Sequence, residues 1–190
     1  MNTIKFQLQQ LTNLFKKTKI DYALLGGLAV AFYGEPRMSF DIDINILLDQ
    51  DEVAGFLKQA KEFGFTPLPP YIMKFVKSTG VIPRRLSKNG IIGRADFIIA
   101  QNDLEYSGIR RAVRKNIYGQ KAKIVSCEDL VLHKIISERI RDLEDLWGIL
   151  TRQHGKLDLQ YIELWLKKID KASGNPKLLK LFRGMRNSLC

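Results

Sequence analysis

The chain has 190 residues, of which 45% are hydrophobic and 27% charged, and this composition is typical of one packed domain with or without a small helical extension. Its formal charge of +11 favours polyanionic partners such as nucleic acid or nucleoside triphosphates. The excess lies in two stretches without any acidic residue, 66–95 and 106–127. Two distant cysteines and two histidines argue against a disulfide framework and against a zinc or His-ligated metal centre.

Neither a membrane span nor an export signal is apparent in the sequence. No apolar run reaches the length that a bilayer requires. The first ten residues, MNTIKFQLQQ, lack the apolar core and the small-residue cleavage site of a signal peptide. We therefore expect a cytoplasmic protein with no membrane partner.

The first half of the chain alternates helices and strands. Apolar residues at helical spacing predict an amphipathic helix over residues 3–17. The elements predicted next are a strand at 21–25, a helix at 27–33, a strand at 41–48 and a helix from Asp51 to Gly64. Residues 66–83 are rich in proline and glycine, and we expect a long loop there.

The second half begins with a predicted hairpin and ends in helices. Residues 84–100 form two apolar arms around Asn89-Gly90, a strong signal for a two-residue turn. The pattern then predicts a helix at 103–116, a strand at 121–126 and a helix that Ser126 caps. The remainder, from Leu146 onward, is helical and basic.

Two aspartates in the second strand, Asp41 and Asp43, are the first candidates for chemistry. Side chains at positions i and i+2 of a strand point to the same face, so these two carboxylates project together. Like charges held side by side repel unless a cation lies between them. Magnesium, a hard ion that prefers oxygen ligands, is the expected cation, and two such ions support phosphoryl or nucleotidyl transfer.

Paired glycines, Gly26 and Gly27, follow the first strand and open the next helix. This arrangement lets backbone N–H groups approach a phosphate at the helix N-terminus, although paired glycines also form ordinary tight turns. Asp96 precedes an apolar run in the hairpin and is either a third carboxylate or a solvent-facing residue at a strand edge. Lys134 lies among apolar residues of a helix, so it either snorkels to solvent or reaches into a charged cleft.

The order of these motifs resembles the nucleotidyltransferase superfamily typified by DNA polymerase β. The resemblance rests on Gly26-Gly27, a spacer of thirteen residues, and the strand that carries Asp41 and Asp43. Residues 37–43, with Ser39 two positions before the first aspartate, are closer to one branch, that of AbiEii-type abortive-infection toxins and minimal antibiotic nucleotidyltransferases. Residues 128–145 also resemble the C-terminal helical motif of that branch.

The resemblance implies an α+β fold with a mixed β-sheet core, flanking helices and a helical C-terminal extension. It implies a catalytic core at residues 1–125 and a helical region at 126–190 that completes the active-site cleft. Roles for ten residues follow from it. The catalytic metal ligands would be Asp41, Asp43 and Asp96; the nucleotide-binding residues Gly26, Gly27, Ser39 and Lys134; and the supporting residues Arg37, Asp142 and Asp145.

The implied activity is Mg²⁺-dependent transfer of a nucleoside monophosphate from a nucleoside triphosphate (NTP) to an acceptor. RNA, especially a tRNA end, a small hydroxylated molecule such as an antibiotic, and a protein side chain all stay open as acceptors. A toxin–antitoxin or abortive-infection role would add a cognate antitoxin as partner. The alternative is a non-catalytic relative that binds nucleic acid through its basic surface.

Overall fold

The computed structural model describes residues 3–37, 39, 41–68 and 71–189. Seven strands of this part form one mixed sheet in the order β3-β4-β5-β2-β1-β7-β6. The strands are β1 (Tyr22–Leu25), β2 (Asp41–Ile46), β3 (Phe65–Pro67), β4 (Val81–Lys88), β5 (Ile91–Ile99), β6 (Val113–Ile117) and β7 (Gln120–Ile124). The predicted α+β fold with a mixed sheet, flanking helices and a helical C-terminal region is confirmed.

Helices precede, separate and follow the strands. They are α1 (Thr3–Thr18), α2 (Gly26–Tyr33), α3 (Val53–Glu62), α4 (Ile72–Thr79), α5 (Asp103–Arg110), α6 (Cys127–Ser137), α7 (Ile140–Arg152), α8 (Leu159–Ser173) and α9 (Leu178–Asn187). A short 3₁₀ turn, Gln50–Glu52, leads into α3. In the part of the chain that the structure describes, no helix is long and apolar enough to cross a bilayer.

The chain divides into two compact units. The first comprises residues 1–28 and 38–125 and contains the whole sheet; the second comprises residues 29–37 and 126–190 and is helical. Within the second unit, residues 33–37 are tied to α7. Arg152 donates to the Gly34 carbonyl at 2.9 Å, and the Gln153 amide donates to the Tyr33 carbonyl at 2.7 Å.

The core of the first unit lies on one face of the central strands. Phe97 of β5 is fully buried there and meets the rings of Phe15 from α1 and Phe56 from α3 at centroid distances of 6.1 and 5.1 Å. Ile42 and Ile44 of β2 are fully buried too. Because strand side chains alternate, packing of the isoleucines on this side directs Asp41 and Asp43 to the opposite face.

Two predicted elements are wrong. The helix expected over residues 103–116 ends at Arg110, and residues 113–117 form strand β6, which pairs antiparallel with β7. The long loop expected over residues 66–83 contains helix α4 and the end of β3, and β4 begins within it at Val81. Pairing with β7 overrides the helical spacing of residues 113–116. Burial of Ile72 and Val76 overrides the proline- and glycine-rich composition of residues 66–83.

One buried cation of the first unit is poorly satisfied. The Arg84 side chain of β4 is fully buried and donates one hydrogen bond, from Nη2 to the Leu57 carbonyl at 3.0 Å. Its Nε and Nη1 find no partner among the described residues. Burial lowers the pKa of Arg84 to about 10, because the charged form loses its hydration.

We expect Arg84→Met to raise the free energy of unfolding by about 1–3 kcal/mol, since burying an unpaired charge costs more than burying an apolar side chain of similar volume. Urea denaturation provides the measurement. Its neighbour Arg85 is exposed, and Arg85→Met should change the stability by less than about 0.5 kcal/mol. A loss of stability in Arg84→Met would contradict this interpretation.

Candidate active site

The three carboxylates predicted as metal ligands lie on neighbouring strands. Asp41 and Asp43 belong to β2 and Asp96 to β5, and the two strands pair in parallel with Asp43 directly opposite Asp96. Opposite residues of adjacent strands, and residues two apart in one strand, project to the same face of a sheet. The structure therefore brings all three, each half-buried, to one face of the first unit.

Arg94, which belongs to the first basic stretch of the sequence, lies among these carboxylates. Its Nε and Nη2 donate to the two Asp96 oxygens at 3.2 and 3.0 Å, and its Nε lies 3.8 Å from an Asp41 oxygen. The hydrogen bonds and the charge of Asp96 raise the pKa of Arg94. Its position two residues before Asp96, hence on the same face, was the signal available in the sequence.

The donor chemistry of this face suits a hard divalent cation, because carboxylate oxygens are the ligands that Mg²⁺ prefers. Within the described ranges, no three His, Cys, Asp or Glu side chains are already gathered as a metal site. The Arg94 guanidinium supplies the positive charge beside Asp96 and Asp41. Asp41, Asp43 and Asp96 are the residues that would hold a metal ion here.

Gly26 brings the backbone directly against one of these carboxylates. Strand β1 ends at Leu25, opposite Asp43, and α2 begins at Gly26 with φ +62°. A Cβ at Gly26 would lie 1.8 Å from Asp43 Oδ2. Only glycine combines this left-handed backbone with so close an approach. Gly27 follows, buried in the first turn of α2.

We expect Gly26→Ala to lower the free energy of unfolding by about 1–3 kcal/mol and to displace the Asp43 carboxylate. Alanine is strained in the left-handed backbone conformation, and its methyl group would overlap with Oδ2 of Asp43. Thermal and urea denaturation measure the first effect. Gly55 is the matched control: it lies within helix α3 with no atom near its missing Cβ. Gly55→Ala should stabilise the protein by about 0.5–1 kcal/mol, and equal destabilisation by both would contradict the proposed clash.

Ser39, a predicted nucleotide-binding residue, has a local partner. Its hydroxyl donates to the backbone carbonyl of Asp41 at 3.0 Å. This hydrogen bond fixes the serine immediately before the strand that carries the carboxylates. Its contact with a nucleotide stays a prediction.

The second unit contains a network of ion pairs formed by Lys134, Asp142, Asp145 and Arg37. The Lys134 ammonium of α6 donates to Asp142 at 2.5 Å and to Asp145 at 2.8 Å, both on α7. Arg37 donates to the two Asp145 oxygens at 2.8 and 3.0 Å. Lys134 and both aspartates are buried, so Lys134 does not snorkel to solvent. Its contact with nucleotide phosphates remains a prediction.

The network shifts the titration of its carboxylates. Burial alone would raise the pKa of Asp142, but hydrogen bonds from Lys134 and Ser137, together with the Lys134 charge, lower it to about 2. The pKa of Asp145 is lowered as well, where hydrogen bonds from Arg37 and Lys134 outweigh burial. Both aspartates are therefore held ionised against their cations.

This predicts a loss of stability in acid. Because the pKa of Asp142 falls from its ordinary 3.8 to about 2 on folding, its contribution is fully present above pH 3.8 and disappears as the pH falls through 2. We expect this residue to account for about 2 kcal/mol of the loss in unfolding free energy over that interval. Urea denaturation at several pH values, for the wild type and Asp142→Asn, measures it; identical pH dependence in the two proteins would contradict the assignment.

Solved structures share this fold, whereas no protein-family model and no curated protein matches the chain. An antigenic nucleotidyltransferase-like protein from Paracoccidioides brasiliensis matches with a TM-score of 0.57 and 20% identity, covering 95% of this chain and 93% of its own. The solution structure of the antibiotic-resistance factor ANT(2″)-Ia matches with a TM-score of 0.56 and 14% identity, covering 100% of this chain and 96% of its own. Its crystal structure with adenylyl-2″-tobramycin gives 0.56 and 13%, covering 96% and 98%.

The chain shares the nucleotidyltransferase fold of these structures. At these identities the likeness establishes the architecture alone. The superfamily resemblance found in the sequence is thus supported at the level of the fold.

Proposed function

We propose that this protein is a metal-dependent nucleotidyltransferase that moves a nucleoside monophosphate from an NTP to an acceptor hydroxyl. The observation that carries the proposal is the placement of Asp41, Asp43 and Asp96 on one face of two adjacent strands. The start of α2 lies against the same face, where Gly26 touches Asp43. Three carboxylates beside a helix N-terminus would hold both a divalent cation and a phosphate chain.

The reaction would form one bond and break one bond. The acceptor oxygen attacks the α-phosphorus, the bond to the bridging oxygen of the β-phosphate breaks, pyrophosphate leaves, and the hydroxyl proton passes to water. Bound Mg²⁺, as one ion or two, would activate the attacking oxygen and stabilise the leaving one. The residues of the chain mainly position reactants and balance charge.

The proposed contacts with the nucleotide phosphates lie at the start of α2 and at Lys134. Backbone N–H groups at Gly26 and Gly27 would receive phosphate oxygens, with Ser39 beside them, because a helix N-terminus attracts anions. We assign a phosphate-binding role to Lys134 as well. That role requires Asp142 and Asp145 to release or share its ammonium, with Arg37 retaining Asp145.

The finer assignment follows the resemblance to AbiEii-type and minimal nucleotidyltransferases. On that basis an RNA, in particular a tRNA end, is the favoured acceptor, and an antitoxin protein is a candidate partner. Transfer to a small hydroxylated molecule is the alternative acceptor class; the fold likeness to ANT(2″)-Ia favours it. In every case the same carboxylates would perform the transfer.

A second candidate function is nucleic-acid binding without catalysis. Arg94 favours it, because an arginine that already balances Asp96 and Asp41 reduces the need for a metal cation there. The intact set of three carboxylates favours catalysis. The two functions differ in one measurable respect, the release of pyrophosphate.

The test incubates purified protein and Mg²⁺ with each α-labelled NTP, in the presence of total cellular RNA or a panel of hydroxylated small molecules. Label that appears on an acceptor with the wild type, and is absent with Asp41→Asn or after chelation of the metal, is the expected result. The labelled fraction identifies the acceptor class and the donor base. Absence of both label and pyrophosphate, while RNA still binds, would establish the second candidate instead.

A further inference from the structure

A basic groove lies in the first unit, away from the carboxylates. The end of α1, the start of β1 and the β6-β7 hairpin enclose a volume of about 450 Å³. Its charged lining comprises five cations, Lys16, Lys19, Arg114, Lys121 and Lys123, and one carboxylate, Asp21. Such a ratio attracts an anionic ligand.

Most of this charge is not neutralised by the protein. Lys123 donates to Asp21 at 2.5 Å. In the described part of the chain, no carboxylate forms an ion pair with any of the other four cations. The hairpin register concentrates the charge further, because Arg114 stands directly opposite Lys123. Side chains opposite one another in a strand pair share a face.

A neighbouring recess shares the Asp21–Lys123 pair with the groove. It has a volume of about 260 Å³ and adds Arg110 at the end of α5. The two recesses together present six cations and one carboxylate. A single phosphate would engage only some of these cations, whereas a chain of phosphates can engage cations of both recesses.

The position of the groove separates it from the proposed nucleotide site. Strand β1 starts at the groove with Tyr22, opposite Ile46, and ends with Leu25, opposite Asp43. Three residues of strand span roughly 10 Å. The groove and the carboxylates therefore lie toward opposite ends of the same strand.

The floor of the groove fits a ligand that is recognised by charge. Phe15 and Tyr22 stack on each other there with centroids 4.0 Å apart, and both are nearly buried. The Tyr22 hydroxyl accepts from the Lys123 backbone N–H at 3.3 Å. The rings are therefore packed within the protein, and little of either is exposed to stack on a base.

We propose that this basic groove binds the phosphate backbone of a nucleic acid. Contacts to phosphates need cations on exposed, adaptable side chains and no base-reading pocket, which is what the rim provides. The binding goes beyond the proposed transfer reaction and does not depend on it. An acidic polypeptide would use the same charges, and competition by poly-glutamate distinguishes it from a nucleic acid.

The test measures the affinity of the full chain for a fluorescent single-stranded 20-mer RNA by anisotropy between 50 and 300 mM salt. The variant Lys16→Gln/Lys121→Gln removes two exposed cations of the rim. The matched control, Lys171→Gln/Lys180→Gln, removes two exposed lysines of the second unit. In each pair one lysine, Lys16 or Lys171, lies in the last turn of a helix. If each rim lysine contacts one phosphate, the slope of log K against log salt should become less negative by about 1.4. The dissociation constant at 100 mM salt should rise about 25-fold.

Three results would overturn the proposal. Equal losses in the rim variant and the matched control would show that only net charge matters. Competition by poly-glutamate as strong as that by RNA would assign the groove to an acidic polypeptide. Inorganic triphosphate that displaces the RNA at equal concentration of phosphate groups would assign it to a small anion. The transfer assay reports on the carboxylates and the anisotropy reports on the groove, so a failure of catalysis and a failure of this groove are distinguishable.

Discussion

Asp43→Asn is expected to lower the rate of nucleotidyl transfer by about 10²–10³-fold or more, because a metal ligand at the reacting phosphate is lost while the side chain keeps its shape. Asp43 lies directly opposite Asp96 and against Gly26, so it is central to the three carboxylates. Rates of pyrophosphate release at saturating NTP provide the measurement. The free energy of unfolding should change by less than about 1 kcal/mol, as a half-buried site contributes little to the core.

The control for this variant is Asp51→Asn. Asp51 is exposed in the 3₁₀ turn beyond the other end of β2, and its replacement changes the net charge by the same amount. It should leave the rate of transfer within about twofold of the wild type. Full activity in Asp43→Asn would remove the metal assignment, whereas equal losses in both variants would indicate a nonspecific charge effect.

Lys134→Ala is expected to destabilise the protein by about 3–5 kcal/mol, since it leaves the buried carboxylates of Asp142 and Asp145 without their shared cation. The expected loss is larger than that of an exposed lysine because all three charges are removed from water. Urea denaturation at pH 7 measures it. Reduced affinity for NTP in a well-folded variant would additionally support the proposed phosphate contact.

A double variant separates the network from simple packing. Lys134→Met/Asp142→Asn retains bulk and removes one negative charge together with the positive one, while Arg37 still pairs with Asp145. We expect it to recover at least half of the stability lost in Lys134→Ala. If the two variants were equally unstable, the ion pairs would not be the reason for the loss. An unchanged stability in Lys134→Ala would return Lys134 to a peripheral role.

The sequence predicts the carboxylate strand and the hairpin well because both depend on neighbouring residues. The i, i+2 spacing of Asp41 and Asp43 alone fixes their common face. Asn89 and Gly90 both have positive φ, 53° and 74°, as a two-residue hairpin turn of this type requires. These signals need no information from distant parts of the chain.

The missed features depend on contacts that are distant in sequence. Strand β6 has helix-like apolar spacing and becomes a strand because β7 pairs with it. The partners of Lys134 lie on another helix, eight and eleven residues away, so its apolar neighbours gave no sign of a buried ion network. The spacing of Arg94 and Asp96 was available in the sequence, but the contact of Arg94 with Asp41 depends on the pairing of β2 with β5, which puts the two residues opposite each other.

The central claim, that Asp41, Asp43 and Asp96 hold divalent cations for transfer from an NTP, is tested most directly by counting bound metal. Electron paramagnetic resonance would measure Mn²⁺ bound in the presence of an NTP analogue that cannot be cleaved between its α- and β-phosphates. This measurement needs no knowledge of the acceptor. We predict two ions for the wild type and at most one for Asp43→Asn. Equal binding by the two proteins, or no binding beyond that of the free analogue, would contradict the claim.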